Sequence, residues 1–278
     1  MIAATTDRIR KAEAFRALHA ADRPFVIANP WDAGSARVLT GLGFAALATT
    51  GAGFAHSLGR RDGHVTREEL LDNAAAIAAA TPLPVSADLE SGFGETPEEV
   101  AETIRLAAAA GLVGASIEDS TGRPDDPIRP LEEAVERIEE AAAVACEMDF
   151  PFTVTARAEN FFHGRPDLPD TIRRLQAYED AGADVLYAPA LPDADAVRAV
   201  CASVSSPVNV LMGGALRLSV AQLGRLGVRR VSVGSAMSRA AYGALVRAAE
   251  EIRDQATFTF GADALPYADL EGILGTGE

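Results

Sequence analysis

LPVSADLESGFGETPEEVAETIRLAAAAGLVGASIE, residues 83–118, holds one complete repeat of the chain's architecture. An apolar, β-rich run (LPVSAD, 83–88) passes through a glycine-containing loop into a segment with apolar residues at helical spacing (96–111). A second β-rich run (LVGASIE, 112–118) follows. Thr96-Pro97 with Glu99 three residues on is an N-terminal capping signal, and Gly111 is a C-terminal stop. Seven more β-rich runs lie around this unit's first strand: PFVIAN (24–29), FAALAT (44–49), LVGASIE itself, FTVTAR (152–157), DVLYAP (184–189), SPVNVL (206–211) and RRVSVG (229–234). Helical patterns such as PLEEAVERIEEAAAVAC (130–146) and TIRRLQAYEDAG (171–182) lie between them.

Eight strand–loop–helix units without a compositional break predict an α/β fold, a closed (β/α)8 TIM-type barrel spanning residues 1–278 as one domain. A doubly wound sheet is the runner-up, but no GxGxxG follows the first strand. An extra N-terminal helix is expected at about residues 5–20, and a helical C-terminal extension over 255–278. The apolar Phe258, Phe260, Leu265 and Tyr267 of that extension are expected to dock on a neighbouring subunit.

The 278 residues carry 40 acidic and 25 basic side chains, a formal charge of −15. Such a balance repels phosphate backbones and anionic lipid surfaces, so no nucleic-acid or membrane partner is expected. The N-terminus bears charges where a signal peptide needs an apolar stretch, and the expected location is cytoplasmic. Cys146 and Cys201 give neither a disulfide framework nor a metal-ligand spacing and read as buried free thiols. Lys11 is the only lysine and precedes every strand, which argues against Schiff-base and pyridoxal phosphate chemistry.

In a barrel of this kind the active site lies at the C-terminal ends of the strands. Those ends are polar here: Asn29, Thr49, Thr50, Asp88, Glu118, Asp119, Arg157 and Asn209. Bringing Asp88, Glu90, Glu118 and Asp119 to one rim demands a cation, and an oxygen-only set points to Mg²⁺, with Mn²⁺ as the alternative. The long connection 49–69 is expected to be a functional loop, with backbone N–H groups of Thr50, Gly51 and Ala52 forming an anion hole and Asp62 near the metal. His56 and His64 read as loop-structuring side chains. Arg157 offers a planar fork for a substrate carboxylate, with Glu159 holding it. His163 lies further along the same loop as a candidate proton donor. Gly213-Gly214 and Gly234-Ser235 carry a weaker phosphate-binding reading.

TTGAGFAHSLGRRD (49–62), SADLESGFG (86–94), GASIEDS (114–120) and VTARAENF (154–161) together resemble the isocitrate lyase and phosphoenolpyruvate mutase superfamily. The resemblance runs from about residue 20 to about residue 250. It implies a Mg²⁺-dependent barrel that makes or breaks C–C or P–C bonds beside a 2-oxo acid. By the same resemblance Asp88 touches the metal directly, while Asp62, Glu90 and Glu118 bind it mostly through water. Thr50, Gly51 and Ala52 cradle the acid's oxygens, Arg157 faces the substrate and Glu159 orients it. Superfamily members commonly assemble as dimers or tetramers with exchanged C-terminal helices, so a homodimer or homotetramer is expected.

The departures narrow the reading. Where the isocitrate and methylisocitrate lyases carry a KKCGH-like loop after the fourth strand, this chain reads STGRPDDPIRP (120–130), with neither cysteine nor lysine. Ala188 stands where mutases place a histidine. The expected function is therefore a lyase cleaving a C–C bond of a small 2-oxo or 2-hydroxy carboxylic acid, by retro-aldol cleavage or decarboxylation through an enolate. The catalytic set is Arg157, Glu118, Glu159 and His163; Thr50, Gly51, Ala52, Arg157 and Asn209 bind substrate; Asp88, Asp62, Glu90 and Glu118 hold metal. A non-catalytic acid-binding barrel and a phosphonopyruvate-type P–C enzyme are the alternatives.

Overall fold

Each of the eight apolar runs forms a strand, and the computed structural model describes residues 5–275. Helix α1 (Thr6–Ala20) comes first, then β1 (Phe25–Ile27), α2 (Ala33–Gly41), β2 (Leu47–Ala48), α3 (Gly51–Ser57), α4 (Arg67–Ala79), β3 (Val85–Asp88) and α5 (Pro97–Ala109). Next come β4 (Gly114–Glu118), α6 (Leu131–Cys146), β5 (Thr153–Arg157), α7 (Leu168–Asp180), β6 (Val185–Tyr187) and α8 (Ala194–Ser203). The barrel ends with β7 (Val208–Leu211), α9 (Val220–Arg225), β8 (Arg230–Ser232) and α10 (Ala236–Gln255), followed by a 3-10 turn (Thr259–Ala262) and α11 (Tyr267–Leu274).

All strand pairs are parallel, in the order β1-β8-β7-β6-β5-β4-β3-β2. The circle is completed by a single bridge between Ala28 and Leu47, with Ala48 N–H donating to Ala28 O at 2.9 Å. This seam is reinforced by a side chain. Asn29 donates from Nδ2 to Ala48 O (3.0 Å) and Thr49 O (3.2 Å), and its Oδ1 accepts from Val233 N–H (2.9 Å) and Gly234 N–H (3.0 Å). One buried amide thus ties β8, β1 and β2 together where the backbone ladder is thinnest.

Helix α1 plugs the bottom of the barrel. Phe15 is fully buried, and a Cβ built on Gly114 would lie 3.0 Å from its ring and 2.8 Å from Thr153 O, so only glycine fits at the start of β4. His19 closes the same end, edge-on to Phe15 and Phe25.

Two features depart from the sequence-based expectation. The connection 49–69 is not wholly loop, because its first part forms α3, capped by Thr50 Oγ1. The thiols are not buried: Cys146 is exposed and Cys201 half-buried. On α6 the inward stripe runs Ala134, Ile138, Ala141 and Ala145, and Cys146 falls one position beyond it. Helix α10 buries only Ser238 among its twenty residues. Tyr242, Leu245, Val246 and Ile252 on it are exposed, as are Phe258, Phe260, Leu265 and Tyr267 beyond it. Helix α11 returns to pack on α2, with Ile273 against Gly41. Residues 276–278 of the expected extension lie outside the described residues.

Candidate active site

Sheet register assembles the rim. Asp88 ends β3, and Glu118 on β4 pairs with Arg157 on β5, which pairs with Tyr187 on β6. Arg157 ends β5 and lines the barrel mouth, and Glu159, buried two residues beyond the strand, reaches its Nε. The Arg157 guanidinium is engaged on three sides: Nη1 to Asp88 Oδ1 at 2.7 Å, Nη2 to Glu118 Oε2 at 2.9 Å and Nε to Glu159 Oε1 at 2.8 Å. It also lies over the Tyr187 ring, 5.1 Å from the centroid. Burial opposes its charge, but Glu159, Glu118 and Asp88 together raise its pKa further, so the fork stays cationic.

Asp119 takes no part in this cluster. It follows Glu118 directly and so faces the opposite side of the sheet. There it accepts from Arg174 Nη1 (3.1 Å), Tyr178 Oη (2.7 Å) and Glu159 N–H (2.9 Å). The expectation that Asp119 joins the rim is corrected: its counter-charge is an arginine on α7.

Five carboxylates remain near the mouth, Asp62, Asp88, Glu90, Glu118 and Glu159, against one guanidinium. Burial, then the neighbouring Asp88 and Asp62, push Glu90 up to about 7. Burial and then Asp88 raise Asp62. Burial also raises Glu118 and takes Glu159 up to about 6, against the pull of Arg157. Glu90 adopts a left-handed backbone, φ 49°, a strained state for a non-glycine residue that the surrounding loop must enforce. Glu118 N–H donates to Glu90 O at 2.9 Å, and Arg137, buried on α6, holds the residues that follow by donating to the carbonyls of Gly94 (2.8 Å), Glu95 (3.1 Å) and Ser91.

Glu90 Oε1 is buried with no hydrogen-bond partner. A Cβ on Gly51 would lie 3.3 Å from that oxygen and 3.8 Å from Asp88 Oδ2, so the two carboxylates converge on a space only glycine leaves open. An orphaned carboxylate oxygen beside a second carboxylate, in a cluster short of positive charge, fits a hard cation. Among the described residues no group of three or more Asp, Glu, His or Cys side chains is arranged to hold a metal ion. Mg²⁺ needs none, since it keeps several waters and takes one or two carboxylates directly.

A cavity of about 150 Å³ opens beside this cluster, lined at the rim by Thr50, Ala52, Asp62, Asp88 and Arg157. The N–H groups of Gly51 and Ala52 begin α3 and have no intrahelical acceptor. Asn209, 1% exposed, lines the wall and donates to Ser232 Oγ at 2.9 Å. His163 is half-buried on the outer turn and does not line this cavity. Ser120 is buried, accepting from Gly122 N–H. Of the Gly234-Ser235 pair read as a phosphate site, the Gly234 N–H is already spent on Asn29 Oδ1.

Sequence reasoning missed Tyr187, Arg137, Arg174 and Arg230. Tyr187 lines the cavity, and burial raises its pKa so that the phenol stays protonated. Arg137 was detectable as a cation inside the apolar stripe of α6, between Ala134 and Ala141.

Residues 15–253 match the family Phosphoenolpyruvate phosphomutase. The chain is 32% identical over 251 residues to the 2-methylisocitrate lyase of Salmonella typhimurium, covering 86% of this chain and 82% of that protein. A crystal structure of a Burkholderia cenocepacia J2315 protein, provisionally described as a lyase/mutase, superposes with a TM-score of 0.95 at 56% identity, over 96% of each chain. A phosphonopyruvate hydrolase solved in complex with oxalate and Mg²⁺ superposes with a TM-score of 0.85 at 26% identity, over 95% of each chain. From barrel topology, rim chemistry and these matches, the chain belongs to the phosphoenolpyruvate phosphomutase family.

Proposed function

We propose that this chain is a Mg²⁺-dependent lyase that cleaves a C–C bond of a small 2-oxo or 2-hydroxy carboxylic acid, by retro-aldol cleavage or decarboxylation. The observation that carries the reading is the convergence of Asp88 and the partnerless Glu90 Oε1 beside an Arg157 fork locked by three carboxylates. Asp88 and Glu90 would hold the metal, with Asp62 and Glu118 reached through water. When bound, Mg²⁺ supplies Lewis-acid stabilisation of the negative charge that develops on the substrate oxygen.

The chain's own residues do the remaining work. Glu159 and Glu118 fix the plane of Arg157, which orients a substrate carboxylate. The N–H groups of Gly51 and Ala52 point at the same anionic oxygens. Tyr187, a protonated phenol lining the cavity, is the candidate proton donor to the departing fragment, since His163 and Ser120 lie outside that lining. The bound complex of the phosphonopyruvate hydrolase with oxalate and Mg²⁺ supports the same ligand chemistry here.

Pyruvate release is the test, measured with Mg²⁺ and with EDTA across oxaloacetate, isocitrate, 2-methylisocitrate, dimethylmalate and phosphonopyruvate. Metal-dependent release from one carboxylic acid is expected. Release from phosphonopyruvate alone would move the assignment to P–C cleavage. Silence from all of them, with acids still binding, would favour a binding protein.

The protein is further proposed to act as a homodimer or homotetramer. Support comes from α10, a twenty-residue helix with one buried side chain and four large apolar residues exposed. Light scattering that returns a monomer at micromolar concentration would refute it.

A further inference from the structure

Of the four residues 90–93 that lead out of β3, three hold left-handed backbones, with φ 49° at Glu90, 91° at Gly92 and 54° at Phe93. Two of these are not glycine, and such a path persists only where the surroundings over-determine it. Gly92 also lets the loop lie close on α5, since a Cβ there would meet Val100 Cγ2 at 2.9 Å. The path matters most at Glu90. It brings that carboxylate beside Asp88, an approach that like charges resist, and leaves Oε1 without a hydrogen-bond partner in the space next to Gly51.

Two sides of the molecule hold this path. From the barrel, Leu89 N–H donates to Ser116 O at 3.2 Å and Glu118 N–H to Glu90 O at 2.9 Å. From the helices, Thr103 Oγ1 on α5 donates to Gly92 O at 2.7 Å. Arg137 on α6 takes the carbonyls of Ser91, Gly94 and Glu95, three of the six between residues 90 and 95. Arg137 is 2% exposed and, among the described residues, forms no ion pair with a carboxylate, while the neighbouring Arg129 opposes its charge. A buried cation without a counter-charge is destabilising. What the guanidinium supplies in exchange is geometry, because no other side chain offers donors to three carbonyls in one fixed plane.

We propose that Arg137 is a positioning residue for the metal site: it clamps the outer side of loop 90–95, holds Glu90 facing Asp88, and so sets Mg²⁺ affinity without touching the ion. The inference rests on the reading of Asp88 and Glu90 as the carboxylates that take Mg²⁺. Without the clamp, Glu90 turns from its like-charged neighbours toward water, and binding has to bring it back. With the clamp, the approach of the two carboxylates is settled when the chain folds, and affinity gains by that preorganisation.

The test is a double-mutant cycle on Mg²⁺ affinity, read by calorimetric titration of the metal-free protein with no substrate present. Arg137→Met should weaken Mg²⁺ binding about tenfold in the wild-type background. Glu90→Gln keeps a neutral oxygen for the metal and removes the charge that has to be held in place. On that background Arg137→Met should weaken binding by less than about twofold, because the clamp acts through Glu90. Wild-type affinity in Arg137→Met overturns the proposal. So does a loss of the same size in both backgrounds, the behaviour of an arginine that only supports the fold. Should Arg137→Met fail to fold, Arg137→Lys, which keeps the charge and gives up the planar fork, replaces it in the cycle with an expected loss of about threefold and the same refutations. Failure of the rim reading looks different: Mg²⁺ binding would be equal, or equally absent, in wild type, Asp88→Ala and Glu90→Gln.

Discussion

The barrel floor predicts a specific loss of stability in mild acid. His19 is 6% exposed, packed between Phe15 and Phe25, and accepts from Arg230, with Nδ1 2.9 Å from Phe15 O. Burial and Arg230 lower its pKa from 6.5 to about 3. The folded state therefore holds the neutral ring, while the unfolded chain protonates below pH 6.5. This contribution is present in full above the unfolded value and is lost as pH falls from 6.5 toward about 3. Linkage between those two values gives a loss of about 2 kcal/mol from pH 7 to pH 5. Urea denaturation of wild type and His19→Gln at both pH values, at one protein concentration, measures it. Buried carboxylates with raised pKa values, among them Glu118 and Glu159, titrate in the opposite sense, but they do so in both proteins and cancel in the difference. The stability gap between wild type and variant should shrink by about 2 kcal/mol at pH 5. A gap unchanged to within about 0.5 kcal/mol would refute a neutral, buried His19.

Four substitutions test the rim and the seam. Asp88→Ala should abolish Mg²⁺ binding and turnover together, and a fully active variant would sink the site assignment. Gly51→Ala places a methyl 3.3 Å from Glu90 Oε1; Mg²⁺ affinity should fall about tenfold while stability changes by less than about 1 kcal/mol, and an unchanged affinity removes Gly51 from the site. Tyr187→Phe should lower kcat about 100-fold with substrate affinity preserved, whereas equal loss in both would make Tyr187 a packing residue. Asn29→Ala strands two buried N–H groups and should cost about 2–3 kcal/mol in urea denaturation; a cost below about 0.5 kcal/mol would show that the seam does not depend on it.

Much of this architecture was legible because parallel strands buried on both faces read as continuous apolar runs, and Thr96 with Glu99 marks a helix start. Asp88, Glu90, Glu118 and Arg157 were legible because strand ends in a barrel converge. Asp119 was misplaced by treating adjacent residues as sharing a face, although alternation alone sends Glu118 in and Asp119 out. Helix α3 was hidden by its seven-residue length and its glycines, too short for a periodic signal. Arg230 and Asn29 were illegible for a different reason. Their partners, Thr155, His19, Ala48 and Gly234, lie far away in sequence and meet only when the sheet closes.

That closure has a consequence for how the barrel can change. Seven of its interfaces are welds, held by ladders of backbone bonds that any residue supplies, whereas the eighth is a clasp made of one amide side chain and one bridge. The clasp stands directly beneath Thr49 and Thr50, at the lip of the mouth. A single side chain thus shares with one backbone bridge the closing of the barrel, so a change at position 29 alters this seam without re-registering any strand.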